Sequence, residues 1–481
     1  MLRVSRLPRS TPEAQRLSAA ALHASTPEIQ TVMLLRHGHV VLEEEWSPYR
    51  LADPHLLFSV SKSFTSTAVG LAIDAGLLSL DDQVISFFEP GELPDTISDN
   101  LAAMKVRHLL TMTTGHARDT VEALSRDRRM IKVFLGLDVE HEPGTVFVYN
   151  SGATYLLSAI LQRLTGERLL DYLRPFLFEP LGATEASWQV STEGITVGGW
   201  GLSINTESLA CFGQLLLQRG VWEGKQLVPS EWYEAATSKQ VPNDNQDNPD
   251  WKQGYGFQFW RSRHNTYRGD GAFGQFCLIF PDYDAALIVT SATDDMQAIL
   301  DTVWDHLLPA LEGKDVTPVA RAERLELAPP GDPAPTGGNG PTSGNGQTNG
   351  NAPTGGNGPT YRFADGNAAG LTAVRLDPDG TGTFTFAGLE PGATDPVDIV
   401  CAPGDWRELN SVGVLKEADP QAGQRVLSSA HADGDTYVAT IRFVETPFVL
   451  TLACRPPTDQ LSIDVTQNVS FGPTSFTLTS G

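Results

Sequence analysis

Leu57-Phe58-Ser59-Val60-Ser61-Lys62-Ser63-Phe64-Thr65 is the stretch on which the reading of this chain turns. On the first turn of a helix, residues three apart share a face, so the Lys62 amine can reach the Ser59 hydroxyl. With Ser59 at the N-terminus of that helix, its own backbone N–H is free to bind a developing oxyanion. The pair makes Ser59 a candidate acylated nucleophile and Lys62 the proton handler beside it. A lysine starts near pKa ~10.4, so burial or a cationic neighbour must depress it before it can accept the serine proton. Otherwise it stays charged and acts by electrostatics. The spacing alone is weak, yet of eight lysines only Lys62 has a serine three residues before it. The competing reading is a surface lysine on an amphipathic helix. Phe58 before the motif and Ala68-Val69-Gly70-Leu71-Ala72 after it instead describe a buried helix, where an unpartnered lysine is costly.

The 481 residues exceed what one hydrophobic core usually serves, so two domains are expected. The net charge of -24, from 58 acidic against 34 basic side chains, opposes a grip on phosphate backbones or anionic lipid. Nucleic acid and membrane surfaces are therefore excluded as expected partners, and solubility is the plain meaning of the charge. The N-terminus has basic residues but no apolar run behind them, because Ser10-Thr11-Pro12-Glu13 interrupts. No signal peptide or membrane span is readable, and a cytoplasmic location is the expectation. Four cysteines, Cys211, Cys277, Cys401 and Cys454, lack Cys-x-x-Cys spacing and read as small buried hydrophobes.

Residues 328–360 are almost wholly Gly, Pro, Asn and Thr, and Pro-Thr-Gly-Gly-Asn-Gly-Pro-Thr occurs twice within them. Such a segment has nothing apolar to bury and reads as a flexible linker or insert. Before it, in residues 1–315, Thr31–Leu35 and Val40–Leu42 form a hairpin signal around Arg36-His37-Gly38-His39. Helical runs follow at Ser66–Leu78 and Thr154–Leu164. Gly254–Trp260, Gly274–Phe280 and Ala285–Ser291 read as strands, and Met296–Leu311 as a helix. An antiparallel sheet drawn from both ends of this segment, with helices packed on it, gives an α+β class. After the linker, Tyr437, Ala439, Ile441 and Phe443 alternate with Val438, Thr440 and Arg442. Residues 361–481 therefore read as a small all-β domain, a meander or partly closed barrel whose chemistry is unreadable.

The Ser59–Lys62 stretch resembles the nucleophile motif of the class C β-lactamase-like serine hydrolases, which include family VIII carboxylesterases, D,D-peptidases and 6-aminohexanoate-dimer hydrolases. Val106-Arg107-His108-Leu109-Leu110-Thr111-Met112-Thr113-Thr114-Gly115 is similar to the stretch between the family's first two motifs. Pro143-Gly144-Thr145-Val146-Phe147-Val148-Tyr149-Asn150-Ser151 is similar to its second, and Gly201-Leu202-Ser203-Ile204-Asn205-Thr206 to a further segment. The resemblance covers roughly residues 30–310 and implies a β-lactamase/transpeptidase-like fold. It assigns Tyr149 as the tyrosine that assists the nucleophile, a role sensible if a nearby ammonium stabilises its phenolate. Ser151 stands where the family commonly has Asn, trading an amide for one hydroxyl, so recognition of an acylamide carbonyl loses ground and β-lactam hydrolysis with it.

The family's third motif, Lys/His-Thr-Gly on an edge strand, aligns with Gly269-Asp270-Gly271. Ala272 would then supply the second oxyanion N–H, while another register would give that role to Asp270. Ser151, Asp270 and Gly271 are the implied substrate-binding positions. Loss of the basic residue, with Asp270 in its place, argues against a substrate carboxylate. The glycines could equally mark an ordinary turn before a strand. No Gly-x-Ser-x-Gly elbow, His-Glu-x-x-His or phosphate loop is present. His37 and His39 read as solvated hairpin imidazoles and His108 as structural. No metal or organic cofactor is implied. The expected activity is hydrolysis of a small, uncharged ester or amide through a Ser59 acyl-enzyme. A D-aminoacyl peptidase or weak β-lactamase is the alternative, and a catalytically silent binding relative is the rival from outside enzymology.

Overall fold

Ile29–Arg36 (β1) and His39–Glu45 (β2) pair antiparallel around His37 and Gly38. These two residues have φ values of 50° and 74°, the left-handed pair that suits a two-residue hairpin turn. Three buried helices follow, Ser61–Asp74 (α1), Ser151–Thr165 (α2) and Thr206–Leu217 (α3). The chain then returns as strands Trp260–Arg261 (β3), Tyr267–Gly271 (β4), Gln275–Phe280 (β5) and Ala285–Ser291 (β6). A closing helix, Met296–Thr302 (α4), runs on through a wider turn at Val303–Leu307 to Leu311. The six strands form one antiparallel sheet in the order β2-β1-β6-β5-β4-β3. Its two chain ends meet where Thr31 of β1 faces Thr290 of β6, their hydroxyls 2.7 Å apart. The structure is a computed structural model that describes residues 7–12, 28–314, 358–387, 396–404, 406–411, 424–455 and 460–481.

Both faces of this sheet are covered, which is why β1, β5 and β6 are buried along their whole length rather than alternately. The period of two still sorts the side chains. Met33, Leu35, Cys277 and Ile279 face the core shared with α1, α2 and α3. Val32, Leu34, Phe276 and Leu278 face α4 on the other side. A small three-stranded sheet of His55–Leu56, Ser187–Trp188 and Leu202–Ile204 anchors the chain just before α1, with Leu57 N–H donating to Leu202 O at 2.9 Å.

Two sequence expectations need correction, and a third position left open between strand and turn is decided. α1 begins at Ser61 instead of Ser66 and ends at Asp74 instead of Leu78. Its early hydroxyls at Ser61, Ser63, Thr65 and Thr67 suit the interior because they find partners, as in Ser63 Oγ to Gln258 O and Thr65 Oγ1 to Gly198 O. Gly254–Trp260 is not a continuous strand, since Gln258 at φ 65° breaks the extended run; Trp260–Arg261 joins the sheet, and Tyr255 makes isolated bridges with Val241 and Trp260. Gly269-Asp270-Gly271, open to reading as a turn, is strand β4. A Cβ at Gly271 would sit 2.2 Å from Leu57 O and one at Gly269 3.0 Å from Ser63 Oγ, so the glycines let this strand lie against the start of α1.

The chain divides into two compact units, Met1–Arg324 and Leu325–Gly481. Most of the Gly/Pro/Asn/Thr-rich stretch lies outside the described residues. The second unit holds two antiparallel meanders. Thr360–Arg362 (β7), Leu371–Leu376 (β8), Gly382–Phe386 (β9) and Val397–Cys401 (β10) form one. Arg407–Ser411 (β11), Gln424–Asp433 (β12), Thr436–Phe443 (β13), Val449–Arg455 (β14), Ser462–Gln467 (β15) and Ser475–Thr479 (β16) form the other. All four cysteines are buried thiols. Among the described residues no helix is long and apolar enough to cross a membrane.

Candidate active site

Ser59 lies half-buried in a single tight turn, Phe58–Val60, that leads directly into α1. Phe58 is held at φ 47°, a left-handed conformation that costs a non-glycine residue of order 1–3 kcal/mol and persists only where the surroundings enforce it. Those surroundings are the Leu57–Leu202 hydrogen bond on one side and the Phe273 ring, edge-on at 5.4 Å, on the other. The turn after β4 is thereby placed beside the turn that carries Ser59.

One helical turn on, Lys62 is 1% exposed, and its Nζ lies 2.8 Å from Ser59 Oγ, 2.6 Å from Gly199 O and 3.3 Å from Ser151 Oγ. Burial lowers the pKa of the amine to about 7, against the attraction of the Asp119 and Asp270 carboxylates. The condition that the sequence leaves open, a depressed lysine, is met by desolvation rather than by a cationic neighbour.

Tyr149 contributes its ring to the same centre. Lys62 Nζ stands over the ring face, 4.8 Å from the centroid, and the ring stacks on Trp260 at 5.2 Å. Burial pushes the phenol well above its ordinary value and outweighs a hydrogen bond with Ser59, while Asp270 and Asp119 push it further. The amine sits on the π face of the ring, and burial favours the phenol over the phenolate that the sequence reading expects an ammonium to stabilise.

Ser151 opens α2. Asn150 before it caps the helix, its Oδ1 accepting from the Gly152 and Ala153 N–H groups. Asn150 is thus occupied structurally, and Ser151 faces Lys62. A residue the sequence reading missed, Asp119, holds Ser151 twice: Ser151 N–H donates to Oδ1 at 2.9 Å and the hydroxyl to Oδ2 at 3.1 Å. Gly199 was missed as well. It lies just before the Gly201–Thr206 segment, and a Cβ there would sit 2.8 Å from Ser151 O. Asp119 lies four residues past the Val106–Gly115 stretch, with no local spacing tying it to Ser151.

On β4, Asp270 is buried and paired with the fully buried Arg268, Nε to Oδ2 at 2.9 Å. Burial raises the Asp270 carboxyl, and Arg268 opposes this. Its charge is answered within the protein, so the argument that Asp270 itself repels a substrate carboxylate is corrected. What β4 lacks is the basic side chain of the family's third motif. Gly271 faces Gln275 across a three-residue hairpin, and Phe273 and Gly274 have φ values of 64° and 89°. The Gln275 amide donates to Ala272 O at 3.1 Å and to Ser291 O at 2.8 Å, fixing the turn. Gly271 thus acts by its lack of a side chain, and Ala272 sits in the turn packed against Phe58.

His37 Nδ1 lies 3.0 Å from Asp284 Oδ2 on the exposed hairpin, and His108 Nδ1 accepts from Lys105 N–H at 3.1 Å. No group of three His, Cys, Asp or Glu side chains among the described residues is arranged to hold a metal. A small apolar concavity of about 50 Å³, lined by Val32, Leu34, Leu287 and Val303, lies on the α4 side of the sheet.

The sequence pattern of the Beta-lactamase family matches residues 13–310. The 6-aminohexanoate-dimer hydrolase of Paenarthrobacter ureafaciens is 26% identical over 324 residues, 61% of this chain and 82% of the relative. The lovastatin esterase of Penicillium rubens is 26% identical over 173 residues, 31% of this chain and 43% of its own length. A 6-aminohexanoate-dimer hydrolase-like structure from Bacillus anthracis superposes with a TM-score of 0.54 at 20% identity, covering 65% of this chain and 89% of its own, and shares the fold.

Proposed function

The chain belongs to the Beta-lactamase family, and from that premise we propose that it is a serine hydrolase that cleaves a small, uncharged ester or amide through a Ser59 acyl-enzyme. The observation that carries the reading is the Ser59 hydroxyl 2.8 Å from a buried amine whose pKa is lowered to about 7. A base with a pKa near the working pH combines a useful neutral fraction with useful proton affinity. As Ser59 Oγ bonds to the carbonyl carbon, its proton passes to the Lys62 lone pair and the carbonyl π electrons move to oxygen. The Ser59 and Ala272 N–H groups hold that oxyanion. When the tetrahedral adduct collapses, the bond to the leaving group breaks and the Lys62 ammonium returns the proton to it. Water repeats the sequence on the acyl-enzyme. Tyr149, a phenol throughout, hydrogen-bonds Ser59 and walls the site with Trp260.

Support for the substrate class comes from the relatives, one named a 6-aminohexanoate-dimer hydrolase and one a lovastatin esterase, and from the lack of a basic side chain at Gly269, Asp270 and Gly271, the neighbouring Arg268 being engaged by Asp270. A chromogenic short-chain ester and its amide analogue, assayed with Ser59→Ala as control, test the proposal. Turnover and labelling by a fluorophosphonate probe are expected for the natural chain and not for S59A. Equal rates for the two proteins, or no probe adduct by intact mass, would sink the proposal.

A further inference from the structure

Lys62 has three polar neighbours, and a neutral amine has two hydrogens and one lone pair to share among them. Gly199 O, 2.6 Å away, is a carbonyl and can only accept, so it takes one hydrogen. Ser151 Oγ, at 3.3 Å, could accept or donate. Its single hydrogen, however, is directed to Asp119 Oδ2 at 3.1 Å, and a carboxylate oxygen can only accept. Ser151 must therefore accept the second amine hydrogen. The lone pair is left for the third neighbour, Ser59 Oγ at 2.8 Å, whose hydrogen is the one that must move.

We propose that Asp119 is a positioning residue that sets the direction of the hydrogen-bond chain, holding the Ser151 hydroxyl as an acceptor so that the Lys62 lone pair can serve only Ser59. The inference rests on the acyl-enzyme reading above and names a residue that acts through Ser151, without touching the reacting atoms. Without the carboxylate, the Ser151 hydrogen is free to occupy the lone pair, and the base is capped by its own neighbour. The carboxylate is itself held in place, since Oδ1 accepts from both the Ser151 and Val121 N–H groups, at 2.9 and 3.0 Å, which fixes its plane and leaves Oδ2 for the hydroxyl. Once Lys62 has taken the proton, the same carboxylate supports the ammonium through space. The charged and titratable groups about Lys62 are Asp119, Tyr149, and Asp270 with its partner Arg268.

The test is Asp119→Asn. Its amide keeps an acceptor for Ser151 N–H but turns an NH2 toward the hydroxyl, reversing the chain. Acylation by a fluorophosphonate probe is expected to slow roughly 10- to 100-fold at unchanged melting temperature, the part of general-base catalysis that depends on an available lone pair. The acid limb of the rate should move to lower pH, because Lys62 loses a negative neighbour. In the Ser151→Ala background, where no hydroxyl remains to be directed, D119N should cost little more than S151A alone. D119N that labels at the natural rate with an unmoved limb, or losses that multiply across the double variant, overturn the inference while leaving Ser59 chemistry standing. A natural chain without Ser59-dependent labelling overturns both. Should D119N not fold, Asp119→Ala decides, since it too frees the Ser151 hydrogen and removes the charge: slower labelling with a lowered limb is expected, and labelling at the natural rate overturns the inference.

Discussion

Lys62 carries opposite consequences for activity and for stability. As the proposed general base it must be neutral, so kcat/KM is expected to rise with pH through a limb near pH 7, the value to which burial brings the amine. A limb near the free-lysine value would show that the amine is not desolvated in solution. The unfolded chain, whose lysine titrates near pKa ~10.4, binds a proton in the window above about 7 that the folded chain does not. Folding stability contributed by this group therefore increases as pH rises across that window, and below it the full cost of the buried ammonium applies. Lys62→Met removes that cost along with the base. The variant is expected to be inactive yet to melt higher at neutral pH, by roughly 2–4 °C for each kcal/mol recovered. A lower melting temperature would mean that the bonds to Gly199 and Ser151 outweigh the desolvation. At this scale the sequence exposes what is local. Ser59 and Lys62 are one helical turn apart and can be read as a pair, and Tyr149 and Ser151 sit within one recognisable run. Asp119 is 32 residues from Ser151 and meets it only because the 119–121 loop folds back over the start of α2, which no periodicity announces.

The strands buried on both faces, β1, β5 and β6, are apolar, β-branched runs bounded by turns, and their limits are legible for that reason. β4 is the element that sequence cannot distinguish, because the glycines that make it possible remove the apolar alternation by which a strand is recognised. Its neighbour illustrates the converse, since Phe257 and Phe259 alternate like a strand while Gln258 turns left-handed to donate to Leu109 O and Leu110 O. Close approach, not turning, is what Gly271 provides, and this separates the two readings experimentally. Gly271→Ala places a methyl 2.2 Å from Leu57 O, a clash with backbone that only movement of β4 or of the Ser59 turn relieves. It is expected to cost about 1–3 kcal/mol of stability, as overpacking usually does, and most of the acylation rate. Gly269→Ala meets side chains instead of backbone, the Ser63 hydroxyl at 3.0 Å and Val60 Cγ1 at 3.2 Å, and should be milder on both counts. Equal tolerance of both substitutions, in melting temperature and acylation rate, would argue against β4 packing on the turn that carries Ser59.

At the scale of the whole chain, the change in composition after residue 327 and the switch from mixed to strictly alternating patterns mark the two units, although only the compact parts on either side are described. The charge of -24 bears on solubility and partners and is silent on how the chain folds. Every group of the proposed mechanism, from Ser59 and Lys62 through Asp119, Tyr149, Ser151 and Gly199 to Ala272, falls inside Met1–Arg324. That unit has its own sheet, covered on both faces, so its core closes within its own residues. A chain ending at Arg324 is accordingly expected to fold and to label with a fluorophosphonate probe at a rate within about threefold of the full chain, a difference of roughly 0.7 kcal/mol in barrier. Loss of labelling in a folded truncation, judged by near-UV circular dichroism, would assign the second unit a share in the active site. Labelling retained for a small probe but lost for bulkier esters would instead make the all-β unit a determinant of which substrates reach Ser59.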